Sequence, residues 1–147
     1  LASFLITVIY YYIASIKLKA TMVQYQIEYP IKSSISILYK AFATPSGLSE
    51  WFCDDVDYEK NGTVYVFKWE DSEQRAEILE QVENSHVKFK WLDDEDEDTF
   101  FELRIQVDGI TGDVALVITD HCDEDEIDES KLLWESQAKE LAHIIGG

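Results

Sequence analysis

Residues 23–31 are the first part of the chain in which apolar and polar residues alternate regularly. Tyr25, Ile27 and Tyr29 alternate with two glutamines and a glutamate, and Pro30 stands near the end. A period of two is typical of a strand with one buried face. The pattern therefore predicts a first strand over residues 23–31.

Five later segments also have strand length and are rich in β-branched and aromatic residues. The connections between them are short and polar or contain glycine, which allows antiparallel neighbours, because parallel strands need long crossovers. One face of each segment is apolar, so we expect a single antiparallel sheet. The predicted strands are 63–69, 75–82, 86–92, 99–107 and 113–121, with a further short strand at 55–58.

Helical spacing of apolar residues occurs in two places. Over residues 35–42 the apolar positions recur at intervals of three and four, and Ser33 or Ser34 offers an N-cap. The same spacing returns over 127–145 and predicts a long helix with one apolar stripe, ended by two glycines. The stripe consists of Ile127, Trp134, Ala138, Leu141 and Ile145.

The segment AFATPSGLSEWF, residues 41–52, places a proline inside otherwise helical sequence. The residue before a proline is disfavoured in the helical conformation, so the first helix is predicted to stop at Ala43 or Thr44. Thr44 can then cap a second helix that begins at Pro45, where the missing N–H costs nothing. The segment therefore predicts two short helices joined by a kink.

Residues 1–16 are apolar and uncharged, and two lysines follow closely. Sixteen residues of helix rise about 24 Å, short of the roughly 30 Å hydrocarbon core of a bilayer. A secretory signal would carry its positive charge before the apolar run. We interpret residues 1–21 as an extension upstream of the true start, with a docked accessory helix and a membrane anchor as second and third alternatives. Residues 22–147 then form the domain.

The charge of the chain limits its partners. Its 30 acidic residues against 12 basic ones give a formal net charge of -18. This charge repels phosphate backbones, which excludes nucleic acid as a partner and argues against an anionic membrane surface. The composition, 46% hydrophobic with 13% aromatic residues, is sufficient for one domain with a substantial core.

Much of the acidic charge is concentrated in residues 93–98 and 120–129. Like charges repel one another, so both segments are expected to be solvated. Neither has the alternating oxygen ligands, glycine turn and closing glutamate of a calcium loop. We predict no metal and no cofactor.

Candidate catalytic groups are few. Cys53 and Cys122 lack the paired spacing of a zinc or redox site, and they fit two ordinary thiols in a reducing, cytoplasmic setting. The histidines, His86, His121 and His143, show no spacing that indicates a triad or a metal cluster. Alternation places Glu102 and Arg104 on the polar face of their strand, where they are expected to be solvated or paired. No catalytic residue is predicted.

The motif ISILYKAFATPSGLSEWF resembles the signature of the START-like, or SRPBCC, superfamily, and in particular its AHSA1-like branch, related to the activator of the Hsp90 ATPase. The resemblance implies an α+β helix-grip fold, in which a curved antiparallel sheet wraps around a long C-terminal helix and two short helices follow the first strand. The motif positions are filled by Ala41, Phe42, Thr44, Pro45, Leu48, Trp51 and Phe52.

The resemblance also implies an apolar cavity between the sheet and the long helix, and hence non-catalytic binding of a hydrophobic small molecule or lipid. An acidic, co-chaperone-like module that docks on a basic protein surface is the alternative. A third alternative is an enzyme, because some superfamily members are cyclases or hydrolases. The candidate lining residues are Trp51, Phe52, Phe67, Trp69, Phe89, Trp91, Phe101, Leu116, Ile118 and Trp134.

Overall fold

The alternating segments form one seven-stranded antiparallel sheet in the computed structural model, which describes residues 2–20 and 22–146. Each strand overlaps a segment for which the sequence predicted one. The sheet is curved, and the predicted α+β helix-grip fold is confirmed. The strands are β1 (Met22–Pro30), β2 (Asp55–Glu59), β3 (Val64–Trp69), β4 (Ser72–Val82), β5 (His86–Trp91), β6 (Phe101–Val107) and β7 (Val114–Asp123).

The order of strands across the sheet is β1-β7-β6-β5-β4-β3-β2, so the first strand pairs with the last. From β2 to β7, sequential strands are also neighbours, as the short connections required. The pairing of β1 with β7 instead spans most of the domain, with Met22 opposite Asp123 and Pro30 opposite Ala115. As a result, β1 and β2 are the two edges of the sheet.

Two strands extend at least two residues beyond the predicted boundaries. β4 begins at Ser72 instead of residue 75, because Ser72 pairs with Trp69 across a tight turn. β7 continues to Asp123 instead of residue 121, because Met22 at the start of β1 pairs with Asp123. In both cases the strand end depends on its partner, which the alternation within one segment does not reveal.

The predicted kink separates α2 (Ile35–Ala43) from α3 (Pro45–Leu48). Ser34 caps α2 by accepting a hydrogen bond from the backbone N–H three residues later, at 3.1 Å. The Thr44 hydroxyl caps α3 in the same way, accepting from the N–H of Gly47 at 3.1 Å. The proline thus begins a second helix at the position where its lack of an N–H has no cost.

The backbones of α2 and α3 are in unusually close contact at Gly47. A Cβ atom on this residue would lie 2.2 Å from the carbonyl oxygen of Lys40. Next to this contact, the indole Nε1–H of Trp51 donates to the carbonyl oxygen of Ala41 at 2.9 Å. The glycine of the motif is therefore explained by the close approach of the two helices.

The long helix α4 (Ile127–Ile145) has the predicted bounds and packs against β1, β7 and α2. Its buried residues, Trp134, Ala138 and Leu141, belong to the predicted apolar stripe. They meet the apolar residues on the inner face of the sheet, and together these side chains form the hydrophobic core.

An N-terminal helix, α1 (Ala2–Ala20), precedes the sheet. The side chains of residues 4–13 are exposed, including three consecutive tyrosines, so this part of α1 contributes nothing to the core. Within residues 2–20 and 22–146, no helix combines the length and the apolar character needed to cross a membrane. The division of the chain after residue 21 stays a prediction.

Candidate functional site

Seven aromatic rings meet between the inner face of the sheet and α4, and we call them the aromatic cluster. Alternation along β3, β5 and β6 directs five of these side chains to the same face. The other two come from the segment after α3 and from α4. The cluster consists of Phe52, Phe67, Trp69, Phe89, Trp91, Phe101 and Trp134.

Phe101 lies at the centre of the aromatic cluster. Its ring stacks on Trp91 with centroids 4.8 Å apart and on Phe89 with centroids 5.0 Å apart. Phe52 stacks on Phe101 at 6.1 Å and on Trp134 at 5.6 Å, and so joins the rings of the sheet to α4. Offset stacked and edge-to-face pairs of this kind add about 0.5–1.5 kcal/mol each beyond the burial of their area.

The interior of the cluster is buried, and the cluster is partly exposed at one end of the sheet. Phe67, Phe89 and Phe101 are fully buried, whereas Trp69 and Trp91, the last residues of β3 and β5, are partly exposed. Both strands finish at the same end of the antiparallel sheet. Solvent therefore reaches the cluster at the end of the sheet where these two tryptophans lie.

Hydrogen bonds fix the side of the cluster that faces α3. The Trp69 indole N–H donates to the carbonyl oxygen of Phe52 at 3.2 Å. The Trp51 ring lies edge-on to Phe52 with centroids 5.7 Å apart, while its own N–H is bound to α2. The kink between α2 and α3 thus places Phe52 against the rings of the sheet.

The structure brings eight of the ten predicted lining residues into this aromatic arrangement, with Trp51 at its margin. The other two, Leu116 and Ile118, are fully buried on β7 in the same hydrophobic core. In the described part of the chain, four open concavities of about 250 to 530 Å³ lie on the surface, and none of the four is lined by any of the ten. The predicted residues pack against each other, and their role as a ligand site stays a prediction.

Tyr65 and a polar group are absent from the predicted lining residues although they lie near the cluster. Tyr65 on β3 packs against Phe67 and Phe89, and its hydroxyl donates to the carbonyl oxygen of Ala43 at 2.9 Å. The sequence placed Tyr65 on the apolar face of its strand, together with Phe67 and Trp69. The polar group is centred on Asp120, which lies on the same face of β7 as Leu116 and Ile118.

The histidines lie outside the aromatic cluster. His86 is buried, with Nε2 2.5 Å from a carboxylate oxygen of Glu80 and Nδ1 2.8 Å from the hydroxyl of Ser85. The Nδ1 atom of His121 is 2.8 Å from the carbonyl oxygen of Phe100. Among the residues that the structure describes, no three His, Cys, Asp or Glu side chains are arranged to hold a metal ion.

Comparison with known families identifies the fold family. Residues 19–147 match the family described as the START-like superfamily domain. The chain belongs to this superfamily. The START-like domain shares 35% sequence identity with BfR322 from Bacteroides fragilis, whose solution structure aligns over 84% of this chain and 91% of that chain with a TM-score of 0.61.

Two more distant structures have the same fold as this START-like domain. The Aha1 dimer from Colwellia psychrerythraea is 16% identical, with a TM-score of 0.69 over 84% of this chain and 96% of that chain. CalU16 from Micromonospora echinospora is 16% identical, with a TM-score of 0.61 over 86% of this chain and 74% of that chain. At this identity the similarity shows the fold alone. No match was found among curated proteins.

Proposed function

We propose that this START-like domain binds a hydrophobic small molecule or lipid without catalysing a reaction, and that the ligand contacts the aromatic cluster. The observation that carries this proposal is the collection of seven rings from five parts of the chain in one contact network. The partly exposed rings of Trp69 and Trp91 make that network reachable from solvent.

Ring packing suits a site that must exchange one apolar partner for another. Contacts between aromatic faces depend weakly on the chemical identity of the partner, because burial of apolar area supplies most of their free energy. A flat or flexible apolar ligand can therefore replace a contact such as Phe52–Trp134 with two ring–ligand contacts. It also covers apolar area of Trp69 and Trp91 that water now contacts.

Binding is tested with the full chain and the neutral fluorescent probe N-phenyl-1-naphthylamine. We expect the probe to gain fluorescence and to quench tryptophan emission. Replacing Trp91 with alanine should weaken binding about tenfold or more, because the lost ring supplies contact area at the entrance. Tyr58→Ala is the matched control, since Tyr58 is 66% exposed on β2 and lies outside the aromatic cluster.

Native mass spectrometry of protein purified from cells shows whether an apolar molecule accompanies the chain. A bound molecule that is lost on organic extraction, together with probe binding that depends on Trp91, supports the proposal. Purified protein that carries no apolar molecule and leaves probe fluorescence unchanged would refute it. Equal probe binding by the Trp91 and Tyr58 variants would place any ligand elsewhere.

A docking function for a basic protein is the second candidate, favoured by the position of the acidic segments. The turn after β3, the connection 92–100 after β5 and the segment after β7 all lie at the end of the sheet where the cluster is partly exposed. Within 92–100, five of the six consecutive acidic residues at 93–98 are exposed, as predicted, and Asp94 accepts a hydrogen bond from the hydroxyl of Thr99. The two partly exposed tryptophans therefore lie at the same end of the sheet as these acidic segments.

This second candidate predicts binding that is sensitive to salt. A synthetic peptide that alternates lysine and leucine should bind the unmodified chain, and should bind less tightly when residues 93–98 are replaced by their amides. Electrostatic attraction between exposed groups is screened over about 10 Å at 0.1 M salt, so affinity should fall as salt is added. Peptide binding that ignores both salt and the amide substitutions would reject the docking function.

A further inference from the structure

Asp120 places a carboxylate on the otherwise apolar inner face of β7. Leu116 and Ile118 precede it on the same face and are fully buried. Tyr25 lies directly opposite Asp120 on β1, and α4 covers this part of the sheet. The ligand function proposed above gives this carboxylate no role.

Hydrogen bonds connect Asp120 to α4. Its carboxylate accepts from the indole Nε1–H of Trp134 at 2.8 Å and from the backbone N–H of His121 at 2.7 Å. The hydroxyl of Tyr25 lies 3.4 Å from the same carboxylate and is also hydrogen-bonded to the hydroxyl of Ser130. The Asp120–Trp134 and Tyr25–Ser130 contacts cross from the sheet to α4, and we call these four residues the α4 latch.

Trp134 belongs both to the α4 latch and to the aromatic cluster. Its ring stacks on Phe52 with an interplanar angle of 17° and lies 6.1 Å from the ring of Phe101. The indole ring is rigid, so it cannot leave Phe52 without altering its hydrogen bond to Asp120. A ligand that displaces Trp134 from Phe52 therefore disturbs the latch.

The ionised form of Asp120 is poorly compensated while the latch is closed. In the part of the chain that the structure describes, no Lys or Arg forms an ion pair with this carboxylate. Burial raises the pKa of Asp120, although the hydrogen bonds from Trp134 and from the His121 backbone act in the opposite direction. The closed latch thus favours the protonated carboxyl, and an open latch, which hydrates the group, favours the ionised form.

Other titratable groups lie close to the latch and must be distinguished from Asp120. Burial raises the pKa of Tyr25 to about 12, so its hydroxyl remains protonated over the range in which carboxyl groups titrate. Positive charge on His121 would lower the pKa of Asp120. The groups concerned are Tyr25 on β1, His121, Cys122 and Asp123 on β7, and Glu126 just before α4.

We propose that Asp120 is a positioning residue for Trp134, and that the negative charge of its carboxylate promotes the movement of Trp134 that admits a ligand to the aromatic cluster. This inference rests on the proposed function. Replacing Asp120 with asparagine keeps an oxygen that can accept the Trp134 hydrogen bond and removes the charge. The Asp120→Asn latch should therefore stay closed more firmly than the latch of the unmodified chain.

The experiment follows two signals of the full chain from about pH 4, near the ordinary aspartate pKa, up to about pH 8. The first is the indole N–H resonance of Trp134, identified among the four tryptophans by its loss in Trp134→Phe. The second is the association rate of N-phenyl-1-naphthylamine. Asp128→Asn is the matched control, because it removes one exposed carboxylate from α4. His121→Gln removes the neighbouring ring charge.

We expect the resonance and the association rate of the unmodified chain to change with one shared midpoint, association being faster at higher pH. The Asp120→Asn variant should lose both pH responses, and at high pH it should associate as slowly as the unmodified chain does at low pH. Asp128→Asn and His121→Gln should keep both responses.

The outcomes separate this inference from the function on which it rests. If the probe binds but Asp120→Asn behaves as the unmodified chain, the role of Asp120 is refuted and the proposed function stands. If the Trp134 resonance titrates through Asp120 but the unmodified chain binds no probe, Asp120 positions Trp134 and its role in ligand entry is refuted with the proposed function. A pH response that disappears in His121→Gln would assign the charge to the histidine.

Discussion

Replacing Gly47 with alanine tests the close approach of α2 and α3 on which the position of Phe52 depends. The new Cβ would lie 2.2 Å from the carbonyl oxygen of Lys40, whereas ordinary van der Waals contact begins at 3.4 Å, so a gap of about 1.2 Å must open. It would also lie 2.7 Å from the Cα of Ala41. Both obstacles are backbone atoms, so a side-chain rotation cannot remove the clash.

The expected cost follows from two opposing effects. Overpacking of this kind destabilises a protein by about 1–3 kcal/mol, and the gain from replacing a helical glycine with alanine recovers at most about 1 kcal/mol. We expect a net loss of about 2 kcal/mol in the free energy of unfolding. For a chain of this length, that loss lowers the melting temperature by about 4–8 °C.

Urea denaturation, followed by tryptophan fluorescence and by circular dichroism, measures this loss. Gly109→Ala is the matched control, because nothing lies within 4 Å of a Cβ at that glycine and its backbone conformation accepts alanine. The control should stay within about 0.5 kcal/mol of the unmodified chain. A Gly47→Ala variant as stable as Gly109→Ala would show that the two helices do not meet as described.

Three further substitutions or modifications test local features. Thr44→Ala removes the cap that accepts from the N–H of Gly47, and should lower the free energy of unfolding by about 1 kcal/mol in urea titrations, with Thr44→Ser close to the unmodified chain. The hydrogen bond from His86 lowers the pKa of Glu80, so its stabilisation is complete above the usual glutamate value of about 4.3 and is lost as the pH falls through the folded value. Glu80→Gln should therefore destabilise the protein at neutral pH and make no difference in strong acid, as measured by denaturation at both. Burial raises the pKa of Cys53 to about 11, so the native thiol should resist a disulfide reagent that modifies it after unfolding, as mass spectrometry would show.

Local sequence patterns were enough to predict the elements of the fold. Alternation predicted the first strand, runs of strand length rich in β-branched and aromatic residues predicted the later ones, and the spacing from Ile127 to Ile145 gave the bounds of α4. The strand ends were less accurate, because pairings such as Ser72 with Trp69 bring together residues whose register no single segment encodes. Short-range signals therefore predicted the elements, and long-range pairing determined their limits.

The candidate site could be predicted in part. Alternation found the inward-facing rings, such as Phe89 and Trp91, but it could not show that the rings would fill the space by stacking on one another. Asp120 was missed because an acidic residue near the end of an apolar strand resembles an ordinary polar boundary. Its contacts depend on the tertiary structure, because Tyr25 lies opposite it on β1 and Trp134 of α4 donates a hydrogen bond to it.

The pairing of β1 with β7 has a consequence for the order in which the chain folds. Met22 pairs with Asp123, so β1 cannot enter the sheet until about a hundred later residues are in place. Closing so long a loop costs more entropy than forming a hairpin, and non-local strand pairs form slowly. We expect the hairpins from β2 to β7 to gain amide-exchange protection first in pulse-labelling experiments, and β1 last. During synthesis on the ribosome, β1 would then remain unpaired until β7 has been made.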